Sequence, residues 1–372
     1  MSLPSSRRLV SLDWMRGLVM VLMTLDHSSG AFNAGRFAMD GASRWKVGTA
    51  IPVEQFLTRW VTHLCAPTFV FLAGASLALS LHRRLAEGEP PRGQDGFQLR
   101  RGLFIALLDP LWMSWILLEW GRWLLQVLYV LGVGMMCMVA LRGLGTRALV
   151  GLGLLLIAGN EWLSAVLTQG GSPSVPMALL FNGGFFAQNR FIIGYPLVPW
   201  LGVMCLGYAF GRRLLASRAG VARLLVASGV TSLGLFLLVR GLNGYGNERL
   251  YREGNGLLQW LHVSKYPPSL AYAALELGLM ALLLAVFWWV QERWGEVKGL
   301  APLKLLGQTA LFFYLLHVHL LYGAAILLGV KKQLGLGATY GAAVVVLGVL
   351  SVACAGYRRY KAAHPQGWTR YV

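Results

Sequence analysis

Ionisable side chains inside one apolar stretch are the first sign of chemistry in this chain. Residues 8–27 read RLVSLDWMRGLVMVLMTLDH, with Asp13 and Arg16 toward one end and Asp26 and His27 at the other. On a helix, positions 11 apart fall within about 20° of each other around the axis and about 16 Å apart along it. Arg16 and His27 therefore share a face, and Asp13 and Met20 lie close to that stripe. Ionisable groups at membrane depth are costly, so they face a protein interior or a wet cavity and are functional candidates by default. Histidine can take or give a proton near neutrality, whereas arginine stays charged and its planar fork matches phosphate oxygens. One helix face could thus hold a phosphate anchor at one end and a base at the other.

Other stretches add polar groups. Arg59 and His63 open RWVTHLCAPTFVFLAGASL, and Tyr314, His317 and His319 fall within LGQTALFFYLLHVHLLY. Lys265 and Tyr266 open KYPPSL, and Asn189 and Arg190 precede another apolar run. Each also has a plain structural reading. His63 could cap its helix, Asp13 and Arg16 could form an i,i+3 ion pair, and Lys265, Arg190 and Arg240 could be interfacial anchors. His317 and His319 stand about 200° apart on a helix, so at most one faces a given cavity. That spacing also argues against the paired-histidine helix of a zinc hydrolase, and no metal site is expected.

The elements that must position these groups are membrane spans. Of 372 residues, 56% are hydrophobic and only 13% charged, which indicates a polytopic helical membrane protein. Ten runs are long enough to cross: 9–29, 60–81, 101–118, 122–141, 147–167, 196–215, 221–239, 268–290, 305–327 and 338–357. The third and fourth meet at 119–122, where Glu119 leaves their division open. The fold expected is all-α, a bundle of about ten transmembrane helices forming a single domain over 1–372. The net charge of +18 does not call for nucleic acid, because the basic residues come in short clusters between apolar runs. Pairs such as Arg7-Arg8, Arg83-Arg84, Arg100-Arg101 and Arg212-Arg213 fall on one side, so both termini are expected in the cytoplasm. The apolar start is interrupted by charge and lacks a small-residue cleavage site, so it is expected to remain as the first span. Cys65, Cys137, Cys205 and Cys354 each sit alone in different runs and read as small buried hydrophobes. The segments 30–58, 168–195 and 240–267 are rich in Gly, Asn, Pro and aromatics, as loops folding back over a cavity would be. No internal repeat is evident.

RLVSLDWMRGLVMVLMTLDH, THLCAPTFVFLAG, YPLVPWLGVMCLGYAFG, KYPPSL and LFFYLLHVHLLY, in this order, resemble bacterial members of the family named for the heparan-α-glucosaminide N-acetyltransferase catalytic domain. The spacing of Arg16 and His27 is also similar to the Arg and His signature of the membrane acyltransferases that O-acetylate surface polysaccharides, relatives in one transmembrane acyltransferase superfamily. The resemblance implies a multi-pass protein of a bacterial plasma (inner) membrane. It implies transfer of an acetyl group from cytoplasmic acetyl-CoA to an amine or hydroxyl of a sugar or glycan on the outer side. Arg16, with Asp13, would position the donor, and Arg100 and Arg101 would hold its nucleotide. His27 would be the general base, helped by Asp26, with His63 and His317 in reserve. Arg59, Lys265, Tyr266, Asn189 and Tyr314 would contact the acceptor. In the lysosomal enzyme of this family the catalytic histidine lies between the first two spans, but this chain has no histidine between His27 and His63. That role and the heparan sulfate substrate therefore do not transfer by position. A covalent acetyl-histidine and direct attack both stay open, as does a homodimer. The alternative class is a transporter of a small solute or lipid-linked sugar using the same stripe as a pathway.

Overall fold

A computed structural model describes residues 9–88, 90–118, 120–168, 171, 173–364 and 367–372. Arg7, Arg8 and Glu119 lie outside the described residues. The helices run α1 Val10–Phe32, α2 Val53–Trp60, α3 Cys65–Ala86, α4 Pro91–Leu108, α5 Ser114–Leu117, α6 Val127–Leu141, α7 Thr146–Thr168 and α8 Val175–Met177. They continue with α9 Leu197–Ala216, α10 Val221–Leu242, α11 Leu257–Leu261, α12 Leu270–Trp294, α13 Ala301–Gln308, α14 Ala310–Leu327 and α15 Leu336–Ala363.

Among the described residues, six helices are long and apolar enough to cross a membrane: Val53–Ala86, α7, α10, α12, α14 and α15. The first joins α2 to α3 through a tight turn at Val61–Leu64. These six cover six of the ten expected runs. The other four are helical in whole or in part but fall short for identifiable reasons. α1 carries its charged stripe, and α9 ends in Arg212 and Arg213. The run at 101–118 is broken by a π turn at Asp109–Met113 containing Pro110, which cannot supply a backbone N–H. The run at 122–141 yields only the 15 residues of α6, because its first residues form a strand.

The chain is mostly helical, as expected, and that strand belongs to a minor exception. β1 Trp123–Leu125, β2 Gly184–Phe186 and β3 Phe191–Ile193 make one small sheet in the order β1-β3-β2. β1 pairs with β3 in parallel, with Leu124 opposite Ile192, and β2 pairs with β3 antiparallel, with Phe185 opposite Ile192. Three-residue strands leave no alternation long enough to read in sequence.

α1 lies at the centre, packed against α3, α12, α13, α14 and α15. α3 in turn packs on α9, α9 on α7, and α12 on α10. Burial separates centre from rim: 61% of the apolar window is buried in Val53–Ala86 and in α12, but only 22% in α10 and α15. The rim helices expose Leu237, Leu238, Val344, Val345 and Val352, apolar side chains suited to lipid rather than water. Close approach at the centre depends on two glycines. A Cβ at Gly307 of α13 would overlap the Asp13 carbonyl, and one at Gly17 would overlap the Leu303 carbonyl, so α1 and α13 touch backbone to backbone, as small residues permit in membrane bundles. At its far end α1 is tied to the loop before α15, where Lys332 N–H donates to the Ala31 carbonyl (2.9 Å) and Leu334 N–H to that of Phe32 (2.8 Å).

Candidate functional site

Three cavities follow one another, the first two bordered by α1 and the third by residues after it such as Arg36 and Asp40. The first, of about 300 Å³, surrounds Arg16 and is lined also by Ser76, Arg84, Arg101, Gln308 and Lys361. The second, about 240 Å³, contains His27, Asp26, Arg36, Lys265, Tyr266 and Tyr314. The third, about 1000 Å³, is a vestibule with Asp40, Arg44, Trp162, Glu248 and Tyr251 on its walls. Phe69 lines both the first and the second. Arg36, Leu124, Gln126 and Tyr266 line both the second and the third.

At the Arg16 end, the guanidinium donates to Asp13 Oδ1 (3.0 Å) and to Ser76 Oγ. Gln308 Nε2 donates to the other Asp13 oxygen (3.2 Å). The arginine is thus oriented, with a fifth of its side chain still accessible at 21%. Arg101 reaches the same cavity. Arg100, one residue earlier and so about 100° round the helix, is exposed and lines no part of it.

In the central chamber His27 Nδ1 lies 2.6 Å from His317 Nε2, with the rings stacked 4.9 Å apart. His317 is fully buried, and its Nδ1 lies 2.7 Å from the Tyr314 carbonyl oxygen and 3.2 Å from that of Phe313. Carbonyl oxygens only accept, so His317 Nδ1 carries a proton. In neutral His317, Nε2 is then an acceptor, and His27 must donate to it from Nδ1. That leaves the lone pair of His27 on Nε2, which hydrogen-bonds to no other residue among those described. Tautomers here follow from the acceptor-only carbonyl and not from observed hydrogens.

Asp26, expected to help His27, is not its hydrogen-bond partner. Neighbouring helix residues point about 100° apart, and Asp26 turns to the arginines. Its carboxylate takes Arg36 (2.8 Å) and Arg59, while Arg36 also donates to its carbonyl. Arg59, 6% exposed, bridges Asp26 to Asp40, whose Oδ2 accepts from Arg59 Nε at 2.6 Å. Burial pushes the Asp40 carboxyl up, but Arg59 and His63 pull it further down, and it stays ionised well below the usual carboxylate range. His63 is buried behind the chamber with Nε2 3.4 Å from Asp40, and it does not line the cavity. His319 points elsewhere, against Trp112 and Trp115.

The KYPPSL segment is pinned from behind. Lys265 and Tyr266 N–H both donate to the Asp40 carbonyl, at 2.8 and 3.2 Å, and Ser269 N–H donates to the Ser264 carbonyl (2.9 Å). Tyr266 stacks edge-on against Tyr195. Burial raises the Tyr266 phenol, but Lys265 and Arg59 outweigh it and hold it below its ordinary value. Asn189 is remote from this cluster. It lies with Trp120, Arg122 and Arg190 around a surface depression, held in a left-handed conformation (φ 66°).

Sequence reasoning missed Arg36, Asp40, Tyr195 and Ser76. The first two lie in the 30–58 segment, expected to fold over a cavity, where an acidic residue among basic ones was the available signal. In the vestibule, burial and Glu161 raise the Glu248 carboxyl to about 8. A family model described as heparan-alpha-glucosaminide N-acetyltransferase, catalytic, matches residues 8–240. No curated protein matches. The matched stretch carries Arg16, His27, Arg36, Asp40 and Arg59, whereas Lys265, Tyr314 and His317 lie beyond it.

Proposed function

The chain belongs to the heparan-α-glucosaminide N-acetyltransferase catalytic family, a family of membrane acetyltransferases, and on that premise we propose that it transfers the acetyl group of cytoplasmic acetyl-CoA across the membrane to an amine or hydroxyl of a sugar or glycan on the outer side. The supporting observation is the row of three cavities sharing wall residues, with a histidine pair in the middle one. In this reading the Arg16 cavity faces the cytoplasm and takes the donor. Arg16 and Arg101 bind phosphate oxygens or the pantetheine amides, and the pantetheine arm passes Phe69 to bring the thioester beside His27. A helical rise of about 16 Å from Arg16 to His27 suits an extended arm. The acceptor enters from the vestibule, where Trp162, Tyr251 and Tyr266 offer flat faces of the kind sugar rings pack on.

His27 then acts as general base through Nε2 and takes the acceptor proton, while His317 fixes its tautomer and shares the positive charge that forms. The Arg36–Asp26–Arg59–Asp40 chain holds the chamber mouth rigid. We take the whole of 1–372 as one functional unit, since His317, Tyr314 and Lys265 complete a chamber begun by α1. The orientation with both termini inside, ten crossings and residence in a bacterial plasma membrane belong to the same reading.

The test uses purified protein. Acetyl-CoA at millimolar concentration should raise the melting temperature, and Arg16→Ala should abolish the rise. In proteoliposomes, acetyl-CoA on the side of the termini should acetylate glucosamine supplied on the other. A folded wild type that shows no shift refutes the donor assignment. Glucosamine flux without acetyl-CoA would instead favour a transporter, for which the same cavities would serve as a pathway.

A further inference from the structure

Lys265 is an anomaly in the central chamber. It is 3% exposed, and among the described residues its ammonium has no hydrogen bond or ion pair; its Nζ stands 5.5 Å from the centroid of the Tyr266 ring. Burying a charge without a partner is costly, and carboxylates stand close by. They are committed elsewhere, Asp26 to Arg36 and Arg59 and Asp40 to Arg59. The carboxylates whose charge acts on Lys265 are Asp26, Asp40 and Glu276, and among the described residues none of them forms an ion pair with it. Glu276 of α12 is buried but does not line the chamber. The backbone of Lys265 is fixed by its bond to the Asp40 carbonyl, so its ammonium is presented from a rigid loop on the wall that also holds His27. An unpaired, preoriented cation in a low-dielectric chamber suits a negative charge that exists only during reaction.

We propose that Lys265 is a catalytic residue that receives the oxyanion formed at the acetyl carbonyl. The inference rests on the acetyl-transfer reading above and assigns the group that reading lacks. The acceptor's N–H or O–H proton goes to His27 Nε2, and its electron pair bonds to the acetyl carbonyl carbon. The carbonyl π pair moves onto oxygen, which accepts a hydrogen bond from Lys265 Nζ. Collapse of this intermediate breaks the carbon–sulfur bond, the pair leaves on sulfur, and His27 returns the proton to the thiolate. The ammonium stays protonated throughout and is available for the next cycle.

The decisive experiment needs no acceptor. Full-length protein in lipid nanodiscs is loaded with acetyl-CoA carrying a 13C carbonyl, and the thioester stretch is read by difference infrared spectroscopy. In the wild type the band should fall below that of free acetyl-CoA. In Lys265→Met it should return toward the free value with donor affinity unchanged, and Lys265→Arg should keep part of the shift. Turnover with glucosamine should drop about 10²–10³-fold in Lys265→Met, as for loss of one oxyanion donor. Equal band positions in wild type and Lys265→Met, with donor bound to both, overturn the proposal and leave the transferase reading standing. Failure of the wild type to bind acetyl-CoA removes both. Acetyl-lysine at position 265 after turnover, seen by mass spectrometry, overturns it in favour of a covalent carrier.

Discussion

At the scale of single residues, the site depends on who holds the second nitrogen of each histidine. His317 is fixed by a backbone carbonyl, and it fixes His27 in turn, so the exposed lone pair on His27 Nε2 is determined by the position of Tyr314 on α14. In the proposed transfer His317 is thus a positioning residue and His27 the base. His27→Ala should lower transfer to glucosamine by about 10²–10⁴-fold, the usual contribution of a positioned base. His317→Phe should give a smaller loss and leave acetyl-CoA binding intact, because the ring of His27 can then adopt either tautomer. Nitrogen-15 NMR of labelled histidines should show one Nδ1-protonated His27 in the wild type and a mixture in His317→Phe. Unchanged turnover in His317→Phe would remove it from the mechanism.

Most of these residues were legible in the sequence because intramembrane charge is rare enough to be conspicuous. Arg16, His27, Arg59, Lys265 and His317 declare themselves that way, and Tyr314 by its place in LFFYLLHVHLLY. Their pairings were not legible. His27 and His317 are 290 positions apart, and nothing local to either encodes the contact. Asp26 was expected to help His27; its carboxylate bonds to Arg36 and Arg59 and reaches His27 through its charge alone. The same phase argument divides Arg101, on the cavity, from Arg100, outside it.

At the scale of elements, α1 works as a ruler whose ends are set by different neighbours. Its Arg16 end is set by backbone contact with α13 through Gly17 and Gly307, and its His27 end by the loop before α15. The atoms opposing Gly307 belong to the Asp13 backbone, which cannot swing aside as a side chain could. Gly307→Leu should therefore force α1 and α13 apart, with an overpacking cost of about 1–3 kcal/mol. It should also displace Asp13 and with it Arg16. Thermal denaturation should show a lowered melting temperature and a reduced acetyl-CoA stabilisation, while Gly323→Ala in α14, where an added Cβ meets open space, should change neither. Equal behaviour of the two variants would show that the close approach does not position Arg16. The long apolar helices were evident from composition, since α7, α10, α12 and α15 run unbroken through their windows, although the 305–327 run is divided at Thr309 between α13 and α14. The sheet and the π turn were not. Asp109 Oδ2 accepts from both Gln126 and Tyr129 N–H at 2.7 Å, which ties the break in one run to the start of the next. A carboxylate capping a helix from a separate segment leaves no periodic trace.

At the scale of the whole molecule, the proposed transfer requires the cavities to communicate for a pantetheine arm without admitting water from both sides. Phe69 stands where this is decided. It is half-buried on α3, lines both the Arg16 cavity and the His27 chamber, and packs 6.2 Å from the Tyr314 ring. A larger ring there should leave the phosphate end of the donor site untouched while keeping the thioester from reaching His27. Misplacement of a reacting group by about 1 Å can cost about 10²-fold in rate. Phe69→Trp is therefore expected to retain the acetyl-CoA melting shift and lose about 10²-fold in transfer to glucosamine. Phe69→Ala should bind the donor as well but hydrolyse it faster without acceptor, because the opened junction admits water to the chamber. Coupled loss of donor binding and transfer in Phe69→Trp would instead place the whole donor on one side of Phe69, with the histidine chamber serving another step.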